Sequence, residues 1–561
     1  MDSHKKDVKD LKDLMEFSDV QKQMILNMIC NSGILHRPID IAEDVYKDTG
    51  IDKWAQELPE LAGSKTLVKH IIRNPISDIG LLKQRQNTYT CNQIDFSTLK
   101  QFEDDALWVY KLNDEIKKNN LINVLFPSMF LVSYINYVSP LLELYHIAKI
   151  YLIPLNVIIY PILSILAPLY YLNRYMMFNI SVKTYISILL KFLRFLFTFS
   201  GNIKATIIKL FTIVSYMLLF VYNLYQTVEY SYMLFKIKNM MYAKMCNLNI
   251  FLREAGTIIS SVSPNIIKPF VNISYDSSDL MDLPDNFTSI YKIWKDQHIK
   301  DKISKVLVII YTIDVINSFS NLKIQRNWCL TRYSDNTKIW NMKNPVLSSS
   351  QVANPVDLSR NIILTGPNAA GKTTYVKSIL SNIILSQTFG LANAFRANTI
   401  IYNSIISFMR ITDILGSKSY FEVEAEYCRI MMDKAYNISV NKKNALFLMD
   451  EPMHSTPPTE GMATAFAVAE YIGNLDGTNV ILTTHFHKLT TLEDIYPDTF
   501  LNLSVDAIPL EEGFHFPYTV KKGHSYQCIA IELLSSKEFP ESVIKSAIKM
   551  KNKIYSEINS K

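Results

Sequence analysis

Apolar and polar positions divide this chain into four stretches of different character. Residues 1–115 mix the two at helical spacing. Asn74-Pro75-Ile76-Ser77-Asp78-Ile79 has the form of a helix start, and Leu81, Leu82 and Arg85 continue the pattern. This stretch reads as a soluble, mainly helical bundle. In residues 116–228 the only acidic side chain is Glu143, and uncharged runs cover 119–142, 150–172 and 210–228. The second run has 23 residues, which as a helix is about 34 Å long against about 30 Å of bilayer hydrocarbon. Ile186–Phe199 is apolar but broken by Lys191 and Arg194, as in an amphipathic interfacial helix. Residues 229–340 return to soluble character. Glu229–Ile259 fits one long helix, Pro264, Pro269 and Pro284 break up the next stretch, and Lys302–Asn321, containing Asp314, fits another helix. In residues 341–561 short apolar runs alternate with helical patterns. Asn361–Thr365, Asn398–Ser407, Ala445–Met449 and Val480–Thr484 predict strands, and Tyr375–Phe389 predicts a helix. The expected fold is an α/β carboxyl-terminal domain, a mainly α-helical amino-terminal region, and an apolar helical insertion of membrane type.

Prolines sharpen the reading of the apolar block. Pro154, Pro161 and Pro168 recur every seven residues. Each would cost about 3 kcal/mol inside a water-soluble helix, whereas membrane helices re-satisfy the freed carbonyls from neighbours. The connection from Asn173 to Lys209 carries Arg174, Lys183, Lys191, Arg194, Lys204 and Lys209 and no acid. A bias of this kind retains a loop on the cytoplasmic side. A simple two-span hairpin would put it opposite the nucleotide-facing domain, and a re-entrant or in-plane hairpin removes that conflict. The competing reading is a hydrophobic helical core in an Ile-rich protein.

Composition adds little more. The net charge of +6 is compatible with nucleic acid or anionic lipid and indicates neither. The six cysteines form no C-x-x-C pair, which suits a reducing compartment and argues against a disulfide framework or structural zinc. The first residues, Met1–Asp13, are polar and charged and do not resemble a secretory signal.

The chemistry is concentrated in residues 341–561. Gly366-Pro367-Asn368-Ala369-Ala370-Gly371-Lys372-Thr373-Thr374 lies between a predicted strand and a predicted helix, the context of a phosphate-binding loop. Its backbone N–H groups would form an anion nest backed by the helix amino terminus. Lys372 would reach the β- and γ-phosphates of ATP, and Thr373 would hold Mg²⁺. The strand Ala445–Met449 ends in Asp450-Glu451, a Walker B pattern: Asp450 for Mg²⁺, Glu451 for deprotonating the attacking water. Val480–Thr484 ends at His485, which can contact the γ-phosphate. His485 and His487 lack the further ligands of a zinc site. Gly416-Ser417-Lys418-Ser419 is a polar turn opening a helix.

In this order the motifs resemble an ABC-type ATPase, and in detail the MutS family. Thr365–Tyr375 is similar to the family's TGPNxxGKST, and Asp450–Gly461 resembles DELGRGTSTxDG. Val352–Leu358 is similar to the segment that cups the adenine. Asn74–Gln86 and Ile309–Leu322 resemble the start and end of the family's core, so the apolar block falls where levers and a DNA clamp are expected. The resemblance implies ATP and Mg²⁺ as ligands, and a composite site in a homodimer or a heterodimer with another MutS-like chain. Ser419 would then reach the partner's γ-phosphate, Glu451 would activate water and His485 would position it.

Departures from the family pattern matter. Met453 and Ser455 replace glycines of the turn after Walker B, and Gln351 stands where an aromatic residue often precedes the adenine segment. The family's mismatch-reading Phe-x-Glu occurs only as Phe539-Pro540-Glu541, in the wrong context, and the mismatch-reading domain is expected to be missing. These features leave two function classes. One is a MutS-like ATPase that engages DNA in repair or recombination while attached to a membrane, its ATPase domain facing cytosol or nucleus. The other is a membrane-bound mechanochemical ATPase acting on protein or lipid. A soluble ATPase scaffold is the blandest reading.

Overall fold

Short Ile-, Leu- and Phe-rich runs are too brief for helices and form strands that are buried on both faces. In the computed structural model they build a seven-stranded sheet. Its strands are β1 (Asp40–Ile41), β2 (Asn361–Thr365), β3 (Ser404–Phe408), β4 (Ala445–Asp450), β5 (Thr478–Thr483), β6 (Phe500–Val505) and β7 (Val520–Lys522). Their order is β1-β3-β4-β5-β2-β6-β7, parallel throughout except for the antiparallel β6–β7 pair. The structure describes residues 19–31, 39–89, 94–111, 120–129, 132–197, 203–273, 283–348, 350–409, 420–454, 457–510, 513–527, 529, 531, 534 and 539–559.

In chain order, the helices that frame the protein are α1 (Ala62–Ile72), α2 (Ile79–Gln86), α3 (Ile153–Arg174), α4 (Val182–Phe197) and α5 (Ile203–Ser261). They are followed by α6 (Gln297–Gln325), α7 (Lys372–Thr388), α8 (Tyr420–Val440), α9 (Pro458–Gly473) and α10 (Glu541–Asn559). The chain separates into two compact units: residues 26–100, 257–275 and 307–561 form one, and residues 1–25, 101–256 and 276–306 the other. The limits at 115, 228 and 340 read from the sequence do not coincide with these.

In the unit that holds the sheet, β4 and β5 run side by side with Asp450 opposite Thr483, and β2 adjoins β5 with Leu364 opposite Thr483. The carboxyl ends of the three central strands therefore share one edge. The expected single strand over Asn398–Ser407 is two strands. Arg396–Thr399 joins a separate five-stranded sheet, and β3 joins the main one. Between them Tyr402 is fully buried, its hydroxyl bonded to Thr337 Oγ1 and Asn479 Oδ1 at 3.0 Å each. A buried phenol needs such partners, and here they hold the chain where it changes sheets.

The amino-terminal segment joins this unit in ways its pattern does not announce. β1 adds to the edge of the main sheet through Asp40–Ser404 and Ile41–Ile405. Asp78 caps α2 by accepting from Leu81 N at 3.1 Å, as the Asn74–Ile79 signal predicts. Gly63 in α1 lies against Tyr311 so closely that a Cβ would fall 2.0 Å from the ring. Asp314, fully buried, accepts from Leu61 N at 2.9 Å and Glu60 N at 3.1 Å, satisfying free amides at the start of α1.

In the other unit, α3 contains Pro161 and Pro168 and has Pro154 in its first turn, directly after a π-helical turn, Ala148–Leu152. The carbonyl that Pro154 leaves without its helical donor is that of Ile150, and Ser231 Oγ on α5 donates to it. The long helix expected from Glu229 extends back through the third uncharged run, because no proline occurs between Ile203 and Ser261.

Among the described residues three helices are long and apolar enough to cross a membrane: Ser139–Arg174, Thr206–Ser261 and Gln297–Gln325. They differ in burial. The most apolar windows of the first two are 6% and 0% buried, and that of the third is 78% buried. Gln297–Gln325 is a core helix by this measure, and the other two expose their apolar side chains.

Candidate active site

The site is built where β2, β4 and β5 end. β2 leads into the loop at Gly366, and the loop closes into α7 at Lys372. Gly366 has φ 145°, and a Cβ there would lie 2.3 Å from the Val505 carbonyl oxygen, so no side chain fits. Gly371 has φ 95° and caps the helix amino terminus. Between them Ala369 takes φ 65°, a left-handed turn that aims successive amides inward.

Lys372 is buried. Its ammonium donates to the Gly366 carbonyl at 2.8 Å and stands 3.8 Å from Glu451 Oε1. Burial lowers its pKa, and the carboxylates of Glu451 and Asp450 partly oppose that shift. Thr373 Oγ1 donates to Asp450 Oδ2 at 3.1 Å, and Thr483 Oγ1 donates to Oδ1 of the same carboxylate. Glu451 follows directly with φ 52°, its amide donating to the Thr483 carbonyl at 3.0 Å. This left-handed turn brings Glu451 Oε1 to 2.8 Å from His485 Nε2. The hydrogen bond from His485 holds the Glu451 carboxyl below the usual carboxylate range, with Lys372 adding to the effect. His485 Nε2 also lies 2.9 Å from Asn368 Oδ1, so one imidazole bridges the phosphate loop and the acidic strand end. His487 is pushed down by burial and by the charges of His485 and His524. Among the described residues no group of three His, Cys, Asp or Glu side chains could hold a metal ion by itself.

Lys372, Thr373 and Glu451 border a cavity of about 520 Å³. Its lining includes Pro367, Asn368, Ala369, Gly371, Lys372, Thr373, Thr374 and Glu451, together with Gln351, Val352, Asn354 and Tyr518. Gly366–Thr374, Asp450, Glu451 and His485 thus converge at one edge of the sheet. Ser419, expected to act across a dimer, lies outside the described residues. The residues present suit a nucleotide triphosphate: a loop that excludes Cβ atoms, a buried ammonium, and a Thr–Asp oxygen pair that could hold Mg²⁺.

Three features were not legible in the motifs. Gln351 turns away from base stacking: its amide bonds Asn344 N at 2.7 Å and Asn344 O at 2.8 Å, closing its own loop. An aromatic residue comes from elsewhere, since Tyr518 lines the cavity with its ring against Gly371. Asn354 holds that segment, donating to Tyr518 O and accepting from Val520 N, both at 2.8 Å. Phe516-Pro517-Tyr518 carries no motif, and only its position beside the loop reveals it. Met453 occupies a left-handed position at φ 60°, buried, with its sulfur 3.9 Å from Cys428 Sγ on α8. Met453 itself, in the turn after Walker B, is thus packed against α8.

Comparison with known proteins agrees with this geometry. Residues 362–555 match the family model described as MutS domain V. The chain is 32% identical over 201 residues to the DNA mismatch repair protein Msh2 of Dictyostelium discoideum, covering 35% of this chain and 21% of that protein. It is 29% identical over 247 residues to the DNA mismatch repair protein MutS of Bacillus licheniformis, covering 42% and 27%. With MutS of Acholeplasma laidlawii it shares 34% over 192 residues, covering 34% and 22%. The matched region spans less than a third of the length of each of these three relatives. The match of residues 362–555 to domain V, together with the similarity to MutS and Msh2 proteins, supports membership of the MutS family.

Proposed function

We propose that this chain is a Mg²⁺-dependent ATPase of MutS type, attached to a membrane by its apolar helices. The observation that carries the ATPase reading is one cavity lined by Lys372, Thr373 and Glu451, with Asp450 bonded to Thr373 and His485 to Glu451 behind them. Loop amides and Lys372 bind the phosphates, and Tyr518 faces the base. Thr373 and Asp450 hold the Mg²⁺, which neutralises phosphate charge when bound. Glu451, kept ionised, takes the proton of the attacking water, and His485 fixes the carboxylate's position. Ser419 completes the site from a second subunit in a homodimer or heterodimer. The test is ATP hydrolysis at several protein concentrations. A rate per chain that rises with concentration in the wild type and stays low in Ser419→Ala supports the shared site, and a concentration-independent rate overturns it.

The relatives are named for DNA mismatch repair, and DNA is the corresponding ligand proposed here. Filter binding to homoduplex, mismatched and branched DNA at two salt concentrations tests it, because phosphate contacts weaken steeply with salt. Absence of binding to all three at low salt removes DNA. A second reading, a membrane-bound mechanochemical ATPase acting on protein or lipid, is favoured by the exposed apolar faces of Ser139–Arg174 and Thr206–Ser261. The Ser231 contact to the carbonyl freed by Pro154 is the repair that proline in a membrane helix needs. Carbonate extraction of the expressed protein tests attachment, and protease protection near Lys191 in sealed vesicles tests topology.

A further inference from the structure

Between α3 and α5 lies α4, and its side chains divide by direction. Lys183, Ser187, Lys191 and Arg194 are spaced by four, four and three residues, which places them on one stripe of a helix. Tyr185 points to the opposite side. It is buried, and its hydroxyl donates to the Ile165 carbonyl of α3 at 2.7 Å. Ile186 and Ile188 lie on the flanks between the two sides, Leu190 borders the basic stripe and Phe192 shares the side of Tyr185, and all four are exposed. The helix start is capped by Ser181, whose hydroxyl accepts from Thr184 N at 3.2 Å. Lys183, Lys191 and Arg194 are themselves exposed, and no acidic residue occurs from Asn173 to Lys209.

These features make two demands on whatever covers the helix. The exposed apolar side chains require a hydrocarbon environment, and the stripe requires anionic groups alongside it. The headgroup–acyl boundary of an anionic bilayer meets both at once, with the long basic side chains reaching outward to phosphate. Duplex DNA offers phosphates but no hydrocarbon for four large exposed apolar side chains. A protein partner would have to supply an acidic groove with apolar walls, whereas the exposed apolar faces of α3 and of Thr206–Ser261 already point to lipid.

We infer that α4 is an interfacial helix that binds the phosphates of anionic phospholipid headgroups through Lys183, Lys191 and Arg194. The inference rests on the membrane attachment proposed above and adds the class of lipid and the residues that select it. Each basic side chain at an anionic surface is worth about fivefold in partition, so the three together contribute about a hundredfold. Because the attraction is electrostatic, it weakens as salt rises.

The test is flotation of the full chain, diluted from detergent, with preformed vesicles of phosphatidylcholine alone or mixed with phosphatidylglycerol, at low and high salt. The wild type and a Lys183→Gln, Lys191→Gln, Arg194→Gln triple variant are compared, and a Lys183→Arg, Lys191→Arg, Arg194→Lys variant controls for folding. The expected result is a preference for phosphatidylglycerol of about a hundredfold at low salt. It should be retained in the charge-preserving variant and lost in the triple variant, which still floats with neutral vesicles. Equal flotation on both vesicle types, or a preference that survives the triple substitution, overturns the headgroup site while leaving membrane attachment standing. Failure to float with either vesicle type overturns membrane attachment, and this inference with it. A parallel titration with duplex DNA completes the comparison. A triple variant that loses DNA binding while its vesicle preference is unchanged assigns the stripe to nucleic acid and also overturns the proposal.

Discussion

Arg85 Nε donates to the carbonyl of Pro269 at 2.8 Å, and the same guanidinium donates to the carbonyl of Thr388, the last residue of α7. The amino end of α7 carries the phosphate loop. Its carbonyl end is therefore tied, through one buried cation, to the short segment that comes after Ser261. Neighbours strengthen the junction: Gln86 Nε2 donates to Gly390 O at 2.9 Å and Tyr89 Oη to Phe389 O at 2.6 Å. A cation at this end also complements the helix dipole.

Replacing Arg85 with methionine leaves those buried carbonyls without their donor. The expected cost is about 2–3 kcal/mol of unfolding free energy, read from the denaturant midpoint. Arg85→Lys recovers only part of it, since one ammonium cannot reproduce the fork that reaches both carbonyls. An unchanged midpoint in Arg85→Met would show that the junction adds nothing to stability.

Glu451→Gln keeps the Thr373–Asp450 pair and Lys372 in place while removing the base. ATP retention on filters should stay within a few-fold of wild type, and turnover should fall by a hundredfold or more. A normal turnover rate would exclude Glu451 as the base.

His485→Ala tests the electrostatics of the same pair. The His485 hydrogen bond is the largest influence holding the Glu451 carboxyl low. Its removal raises that pKa, so Glu451 stays protonated to a higher pH. The acid limb of the pH–rate profile should therefore move upward in pH. A lower rate with an unmoved acid limb would mean that His485 acts by some other route.

Tyr518→Ala should weaken ATP binding by about tenfold, the scale of base–aromatic stacking. Binding of inorganic tripolyphosphate should be unaffected, because the loop amides and Lys372 are untouched. Equal losses for both ligands would place Tyr518 with the loop's structure rather than with the base.

Asp314 makes a pH signature. Burial pushes its carboxyl up to about 6 despite the amide bonds from Leu61 and Glu60. A carboxyl whose folded pKa exceeds its unfolded value near 4 binds more protons when folded. Its contribution is therefore fully present below pH 4 and is lost as pH rises through 6. A shift of this size corresponds to roughly 3 kcal/mol. The unfolding free energy of Asp314→Asn relative to wild type should accordingly change between pH 4 and 7, and a pH-independent difference would contradict the buried titration.

Residues close together along the chain set the local machinery. Gly366–Thr374 follows β2 and opens α7, β4 ends at Asp450 and β5 ends beside His485, because each depends on side chains within a few residues: glycines that permit the turn, apolar runs that make buried strands, an acidic pair at a strand end. The tertiary structure alone decided what depends on distant partners. Asp40–Ile41 became an edge strand because the Ser404–Phe408 strand presents a free edge to it. Tyr518 reached the cavity from about 150 residues beyond the loop. Gln297–Gln325 and Ser139–Arg174 look alike as apolar helices, but the first is buried and the second exposed. Hydrophobicity states that a helix avoids water, and only its neighbours in space decide whether protein provides the shelter.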